Sequence, residues 1–177
     1  MRIDMDVSRL RDRIRDIPDF PKPGVMFKDI TPLLSDPAAF STAVDAIVVS
    51  YGRGTIDKVV GIEARGFIIA APVAYHFGAG FVPLRKPGKL PYETRAQTYD
   101  LEYGQETLEV HTDALTSGDR VLVVDDVLAT GGTAATAISL IQGTGATVVG
   151  LAFIIELAFL GGAAKLGSHE FTSLLRY

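Results

Sequence analysis

The sequence predicts an α/β fold in which a mainly parallel open sheet is flanked by helices. Two segments carry this prediction: a run of four apolar residues at 121–124, three of them β-branched, and a longer apolar run at 146–157. Continuous apolar runs are typical of strands that are buried on both faces of a parallel sheet. The first run leads through small residues into an apolar helix at 134–141, which makes half of a βαβ unit. Sheets of this kind bind ligands beyond the carboxyl ends of their strands.

Composition narrows the class of protein. The chain has 177 residues, 47% of them hydrophobic, which suits a single domain over residues 1–177. It has no cysteine, which excludes disulfides and thiol catalysis. A net charge of −4 argues against a nucleic-acid or anionic membrane partner, and neither a signal peptide nor a membrane-spanning run is visible. We therefore expect a cytoplasmic protein.

The first third of the chain alternates helical and irregular patterns. Four apolar residues at helical spacing predict an amphipathic helix that Pro18 ends: Val7, Leu10, Ile14 and Ile17. Residues 18–30 contain three prolines and a glycine, so we expect no regular structure there. Ser35 or Asp36 is expected to cap the next helix, with Pro37 in its first turn.

The middle of the chain predicts two further strands and a hairpin. A strand at 57–62 leads through the turn Glu63–Gly66 into a helix at 67–77, and a short strand follows at 81–84. The basic loop 85–93 comes next, and alternating apolar residues predict an antiparallel hairpin over 99–111. We expect the loop's cations, Arg85, Lys86 and Lys89, to repel one another until an anion binds. The tail at 171–177 is expected to form an edge strand.

The turn after residues 121–124 has specific chemistry. Gly131 and Gly132 let backbone amides converge at a helix N-terminus, which favours a phosphate, and Thr130 and Thr133 add hydroxyl donors. The pattern is neither the nucleotide P-loop nor the dinucleotide fingerprint. The acids at 125–126 suit the vicinal hydroxyls of a ribose, so the segment predicts a ribose-5-phosphate site. The alternative is that the acids only cap a helix and the glycines only shape a turn.

The segment VLVVDDVLATGGT at 121–133 resembles the phosphoribosyl pyrophosphate (PRPP) signature of the type I phosphoribosyltransferases. Other segments resemble the adenine-specific members of that family, in the family order: FPKPGVMFKDITPLL, GIEARGF, RKPGKLP, YDLEYG and IIELAFLGG. The resemblance implies the type I phosphoribosyltransferase fold, with a small base-binding hood that includes residues 1–35 and a flexible hairpin lid.

The resemblance also implies the residues of the site. The ribose and 5-phosphate of PRPP would bind to Asp125, Asp126, Ala129, Thr130, Gly131, Gly132 and Thr133. Pyrophosphate would bind to Glu63, Ala64, Arg65, Gly66, Arg85 and Lys89, with backbone donors and an unusual strained peptide at 63–66. Adenine would contact Val25, Met26, Phe27, Lys28 and Leu160. The catalytic residues would be Arg65, Glu102, Asp125 and Asp126, with Glu102 handling the N9 proton.

The implied reaction joins adenine to PRPP and yields AMP and pyrophosphate. Mg²⁺ would be held mainly by PRPP, with no metal ligand assigned to the protein, and a homodimer is expected from the family alone. Three histidines, His76, His111 and His169, show no spacing typical of a zinc site. Two alternatives stay open: a phosphoribosyltransferase for another nucleobase, and a PRPP-binding regulator without catalysis.

Overall fold

The computed structural model describes residues 7–101 and 104–177. Its strands are β1 (Arg15–Ile17), β2 (Phe27–Asp29), β3 (Lys58–Ile62), β4 (Gly80–Leu84), β5 (Thr94–Leu101), β6 (Gly104–His111), β7 (Arg120–Leu128), β8 (Thr147–Glu156) and β9 (Phe171–Arg176). Its α-helices are α1 (Thr31–Ser35), α2 (Pro37–Tyr51), α3 (Arg65–Phe77) and α4 (Gly132–Gln142). Short 3₁₀ helices span Val7–Arg13, Ala158–Leu160 and Gly162–Leu166.

A five-stranded parallel sheet in the order β4-β3-β7-β8-β9 forms the centre, as the apolar runs predict. Strand β7 lies in the middle, and its residues 121–124 are fully buried. Its pairing with β3 ends at Val124, whereas its pairing with β8 continues to Leu128. The acids at 125–126 therefore lie within the strand, and the expectation that they follow its end is wrong. They occupy the stretch where one neighbouring strand has already turned away.

Alternate residues of β7 enter two different cores, because successive side chains of a strand point to opposite faces. Leu122 and Val124 pack with residues of α2 and α3 on one face. Val121 and Val123 pack with residues of α4 and of the β5–β6 hairpin on the other. Both faces of the sheet are covered, which explains why β7 and β8 have almost no polar alternation.

Residues 7–30 differ from the sequence prediction. The helix covers only Val7–Arg13 and is 3₁₀, and residues 15–17 form β1, which pairs with β2 through Ile17 and Phe27. The prediction of a helix to Ile17 is wrong because β1 takes part in this antiparallel pair. The prediction of wholly irregular structure at 18–30 also fails at residues 27–29, since the prolines and the glycine all precede that stretch.

Later elements follow the sequence more closely. Helix α2 begins with Pro37 and is capped by Asp36, whose carboxylate accepts from the Ala38 and Ala39 amides at 3.0 Å. Strands β5 and β6 form the predicted antiparallel hairpin, in register from Thr94 opposite His111. No helix within residues 7–101 and 104–177 has both the length and the apolar character to cross a membrane.

Candidate active site

A cavity of about 630 Å³ opens at the carboxyl ends of β3 and β7. It is lined by all five residues predicted to contact a base: Val25, Met26, Phe27, Lys28 and Leu160. It is also lined by predicted pyrophosphate and ribose residues: Glu63, Ala64, Arg65, Lys89, Asp125, Asp126, Ala129 and Thr133. The fold thus brings together segments that are more than 100 residues apart in the chain.

The two aspartates of β7 have different surroundings. The Asp126 side chain is 6% exposed and accepts a hydrogen bond from Nε of Arg65. Oδ1 of Asp125 accepts from the Asp126 amide at 2.9 Å. Burial raises the pKa of the Asp125 carboxyl, and the neighbouring Asp126 charge raises it further, well above its usual range. Both acids line the cavity, and Asp126 alone is neutralised by a cation at this point.

Arg65 connects the base side of the cavity to the ribose side. Its guanidinium pairs with Asp126 and also lies over the Phe27 ring, 5.4 Å from the ring centroid. The residue is the first of α3, and the peptide bond between Glu63 and Ala64 in the preceding turn is cis. Gly66 lies beneath this turn, where an added Cβ would be 2.9 Å from Oδ1 of Asp125. Its role is therefore close packing of α3 on β7.

The turn at 129–133 has the backbone arrangement that the sequence predicts for a phosphate site. Gly131 precedes α4 with a left-handed φ of 78°, and its carbonyl accepts from the Ala135 amide at 2.9 Å. The first-turn amides of α4 have no acceptor within the helix and point toward the turn. A smaller cavity of about 60 Å³ lies here, lined in part by Thr130, Gly131 and Thr133.

The turn is held from behind by a second glycine. An added Cβ on Gly131 would overlap the Gly162 backbone, and one on Gly162 would overlap the Ala129 carbonyl. Gly162 begins the 3₁₀ helix that follows Leu160. The predicted phosphate turn and the predicted base-contacting turn are therefore packed back to back.

Glu63 contributes a carboxylate where the resemblance implies a backbone donor. Its amide donates to the Leu84 carbonyl at 3.0 Å and is not free for a ligand. Its side chain, 8% exposed, accepts from Nε of Arg85 at 3.3 Å and from Nζ of Lys89. Nζ of Lys86 lies 3.5 Å from Glu106. The expectation of mutual repulsion among these cations is not met, because protein carboxylates pair with all three.

On the base side, Phe27 is braced by Phe20 in an edge-on contact, with 5.1 Å between ring centroids. The Lys28 ammonium turns to Asp16 at 2.6 Å and lies over the Tyr177 ring. The Lys28 ammonium is therefore engaged by Asp16 and Tyr177, while the residue as a whole lines the cavity. Leu160 is 42% exposed at the opposite wall of the cavity.

Comparison with known proteins bears on this arrangement. Residues 38–165 match the family described as the phosphoribosyl transferase domain. The chain belongs to the phosphoribosyltransferase family. It is 66% identical over 163 residues to the adenine phosphoribosyltransferase of Acidothermus cellulolyticus, covering 92% of each chain.

Solved structures agree with the fold. The adenine phosphoribosyltransferase of Rhodothermus marinus superposes with a TM-score of 0.93 at 49% identity, covering 97% of this chain and 98% of that one. The Saccharomyces cerevisiae enzyme, solved with adenine and an imino-altritol bisphosphate, gives a TM-score of 0.91 at 37% identity, covering 96% and 98%. The type I phosphoribosyltransferase fold that the signature implied is confirmed.

The phosphoribosyltransferase family generally uses Mg²⁺ with PRPP. Among residues 7–101 and 104–177, no three His, Cys, Asp or Glu side chains are grouped so that they could hold a metal ion. Four carboxylates line the cavity: Glu63, Glu106, Asp125 and Asp126. Glu63 and Glu106 pair with cations of the loop 85–93, and Asp126 pairs with Arg65. Mg²⁺ is commonly bound by one or two carboxylates together with substrate phosphates. These residues therefore fit an ion that arrives with a diphosphate substrate.

The sequence analysis did not identify two residues near the site, Glu106, which lines the cavity, and Tyr99. Tyr99 of β5 donates its hydroxyl hydrogen to Glu106 and lies 3.0 Å from Oγ1 of Thr133, so the hairpin touches the phosphate turn. Burial and the Glu106 carboxylate raise the pKa of Tyr99 to about 12. Nothing in the local pattern marks this tyrosine, because its contact joins elements 34 residues apart. Glu102 lies outside the described residues, and its predicted role stays a prediction.

Proposed function

We propose that this phosphoribosyltransferase transfers the 5-phosphoribosyl group of PRPP to adenine, forming AMP and releasing pyrophosphate. The observation that carries the proposal is the single cavity that joins the 25–28 segment, the Asp125–Asp126 pair and the cations near Glu63. Its dimensions suit two reactants held side by side, which is how an enzyme lowers the entropic cost of a bimolecular step. The name shared by the close relatives supports adenine as the base.

The chemistry needs positioning and charge stabilisation more than a protein nucleophile. The N9 lone pair of adenine forms a bond to C1 of the ribose, the C1–oxygen bond breaks with its electrons going to pyrophosphate, and N9 loses its proton. Positive charge develops on the sugar, and negative charge grows on the leaving group. Asp125 and Asp126 would stabilise the first, and Arg65 with the cations Arg85 and Lys89 would stabilise the second.

This assignment requires Arg65 to change partners. In the structure its guanidinium neutralises Asp126 and lies over Phe27, which is the surface where we propose that adenine stacks. Bound pyrophosphate would attract Arg65 more strongly than one carboxylate does, since it carries several negative charges. The move would free Asp126 for a ribose hydroxyl and uncover the Phe27 ring. The loop 129–133 would hold the 5-phosphate through the amides of α4.

Magnesium enters with the substrate in this proposal. Bound to the phosphate oxygens of PRPP, it would offset the charge that develops on pyrophosphate as it leaves. Asp125 and Asp126 are the carboxylates from which it could take a protein ligand. Glu102 is proposed to handle the N9 proton on the family resemblance alone.

We also propose that the loop 85–93 and the hairpin act as a lid that shields the reactive sugar from water. Pro87, Gly88 and Pro91 exclude regular structure from the middle of the loop, while hydrogen bonds of Arg85 and Glu93 to residues 109 and 112 fix its two ends. Hydrogen exchange at residues 86–91 should slow when PRPP and an unreactive adenine analogue are added together. Equal exchange with and without these ligands would mean that the loop is static.

Three broader proposals accompany the activity. Residues 1–177 are proposed to form one domain, with residues 1–35 in the base-binding hood, because β2 and the central sheet line one cavity and β1 pairs with β2. A homodimer is proposed from the family, supported by exposed apolar residues on α3. A cytoplasmic location is proposed, with the absence of cysteine in its favour.

The test is a pyrophosphate-release assay with PRPP, Mg²⁺ and one nucleobase at a time. We expect release with adenine and at least a hundredfold less with hypoxanthine or guanine, on the order of what unpaired polar groups in a base site cost. Equal turnover of another purine would favour a transferase for a different base. PRPP binding without release for any base would favour a regulator.

A further inference from the structure

Glu63 is an unusual neighbour for an anion site, because its buried carboxylate occupies the cations that pyrophosphate needs. Oε2 accepts from Nε of Arg85 at 3.3 Å and from the Lys86 amide at 2.9 Å, and Oε1 accepts from Nζ of Lys89. Burial alone would raise the pKa of the Glu63 carboxyl, but the hydrogen bonds from Lys89, Lys86 and Arg85 outweigh it and lower the pKa to about 2. The group is therefore charged at any pH at which the protein works.

Arg85 and Lys89 differ in how freely they can leave Glu63. The backbone of Arg85 is fixed to β6, since its amide and carbonyl both pair with Glu109, at 3.0 and 2.7 Å. Lys89 lies in the loop between two prolines, and its side chain is 48% exposed on a flexible four-carbon stem. Lys89 can therefore change partners without any movement of a strand.

We propose that Glu63 is a positioning residue whose carboxylate pairs with Lys89 while no pyrophosphate is bound. Glu63 and the pyrophosphate group then exchange Lys89 between them in each turnover. The proposal rests on the function proposed above and adds a role for a side chain to which that function gives none. Incoming PRPP takes Lys89 from Glu63, and departing pyrophosphate returns it. Glu63 thereby weakens the binding of the diphosphate product and speeds its release, at some cost in PRPP affinity.

If Glu63 competes with pyrophosphate for Lys89, removing its charge should strengthen pyrophosphate binding. A carboxylate that only supports the structure would have the opposite effect when removed. In Glu63→Gln the amide keeps the size of the side chain but loses the charge that competes for Lys89. We expect pyrophosphate, titrated calorimetrically with Mg²⁺, to bind about tenfold more tightly, since one charge-assisted hydrogen bond no longer has to be broken. The KM for PRPP should fall, and kcat should fall with it if product release limits turnover.

Glu109→Gln is the matched control. It removes the same charge beside the same loop, but the Glu109 carboxylate accepts from the Gly88 amide at 3.1 Å and forms no ion pair with a cation of residues 7–101 or 104–177. Pyrophosphate affinity should stay within about twofold of wild type, which long-range charge alone accounts for at physiological salt. A tenfold gain in both variants would overturn the exchange and leave only a general charge effect.

A double-mutant cycle with Lys89→Gln completes the test. Lys89→Gln should weaken pyrophosphate binding more in the Glu63→Gln background than in wild type, because only wild-type Lys89 must first leave a partner. Equal losses in the two backgrounds, or weaker binding in Glu63→Gln, would overturn the proposal. If Glu63→Gln does not fold, Glu63→Asp keeps the charge but shortens its reach to Lys89, and the same tightening is expected there.

The outcomes separate this proposal from the proposed function. A wild-type protein that binds neither PRPP nor pyrophosphate and shows no adenine-dependent turnover overturns the function. If the wild-type protein turns over adenine normally but binds pyrophosphate with the same affinity as Glu63→Gln, only the exchange of Lys89 is overturned.

Discussion

At the scale of single residues, the site is built from cation–carboxylate pairs that the proposed ligands must break. Arg65 pairs with Asp126, and Lys89 and Arg85 pair with Glu63. Removing one partner of a buried pair leaves the other charge uncompensated, so each side chain of these pairs affects both stability and ligand binding.

Asp126→Asn is the first test at this scale. It removes the charge that we propose stabilises the cationic sugar, so turnover should fall on the order of a hundredfold. The melting temperature should change little, because the amide oxygen of the new side chain can still accept a hydrogen bond from Arg65. Steady-state kinetics and the melting temperature check this together. A variant with near-normal turnover would make Asp126 a structural partner of Arg65 and nothing more.

Acid stability tests Glu63. Its pKa is lowered from 4.5 to about 2 in the folded protein, so its contribution to stability is complete above about pH 4.5 and is lost as the pH falls toward 2. We expect Glu63→Gln to lower the free energy of unfolding by about 2 kcal/mol at pH 7. The gap in melting temperature from wild type should narrow as the pH falls below 4.5. A gap that stays constant down to pH 3 would contradict the lowered pKa.

At the scale of elements, the sequence predicts the helices and strands that depend on local sequence pattern. The buried strands β7 and β8, the capped helix α2 and the β5–β6 hairpin all follow from hydrophobic spacing and capping residues. The short pair β1–β2 does not, because three-residue strands exist only through their partner. The Glu63 contacts were missed for the same reason, since they join a turn to a loop more than 20 residues later.

The phosphate turn gives the prediction at this scale. Gly162 leaves no room for a Cβ against Ala129, so Gly162→Ala must displace the turn at 129–133. We expect the KM for PRPP to rise at least about tenfold, as a misplacement of about 1 Å in a positioned site can cost more than that. Steady-state kinetics measure it. Gly161→Ala is the control for backbone strain without a clash, because its φ of 66° is left-handed but an added Cβ there meets nothing within 4 Å. Equal KM values in the two variants would mean that the packing of Gly162 does not set the turn.

At the scale of the whole molecule, one face of α3 is apolar and uncovered. Ile68 is 45% exposed and Tyr75 83% exposed, and Ala71 lies between them at helical spacing. Phe81 of the edge strand β4 is 38% exposed and contacts Phe67 of α3 edge-on. Adjacent exposed apolar residues of this kind mark an interaction surface. The same helix begins at Arg65, so a partner on this face would also support the active-site turn.

We expect this α3–β4 face to be the homodimer contact. Tyr75→Glu places a charge on the most exposed apolar residue of the face, and burying an unpaired charge costs several kcal/mol, so the dimer should dissociate. Light scattering after size exclusion should give twice the 18.9 kDa chain mass for wild type and the single mass for the variant. Val49→Glu changes an apolar residue of α2 that is 48% exposed and should stay dimeric. A wild-type monomer would refute the dimer itself, whereas a Tyr75→Glu dimer would move the contact to another face. Because α3 carries Arg65, the dissociated variant should also show a lower kcat, restored in part at protein concentrations that drive association.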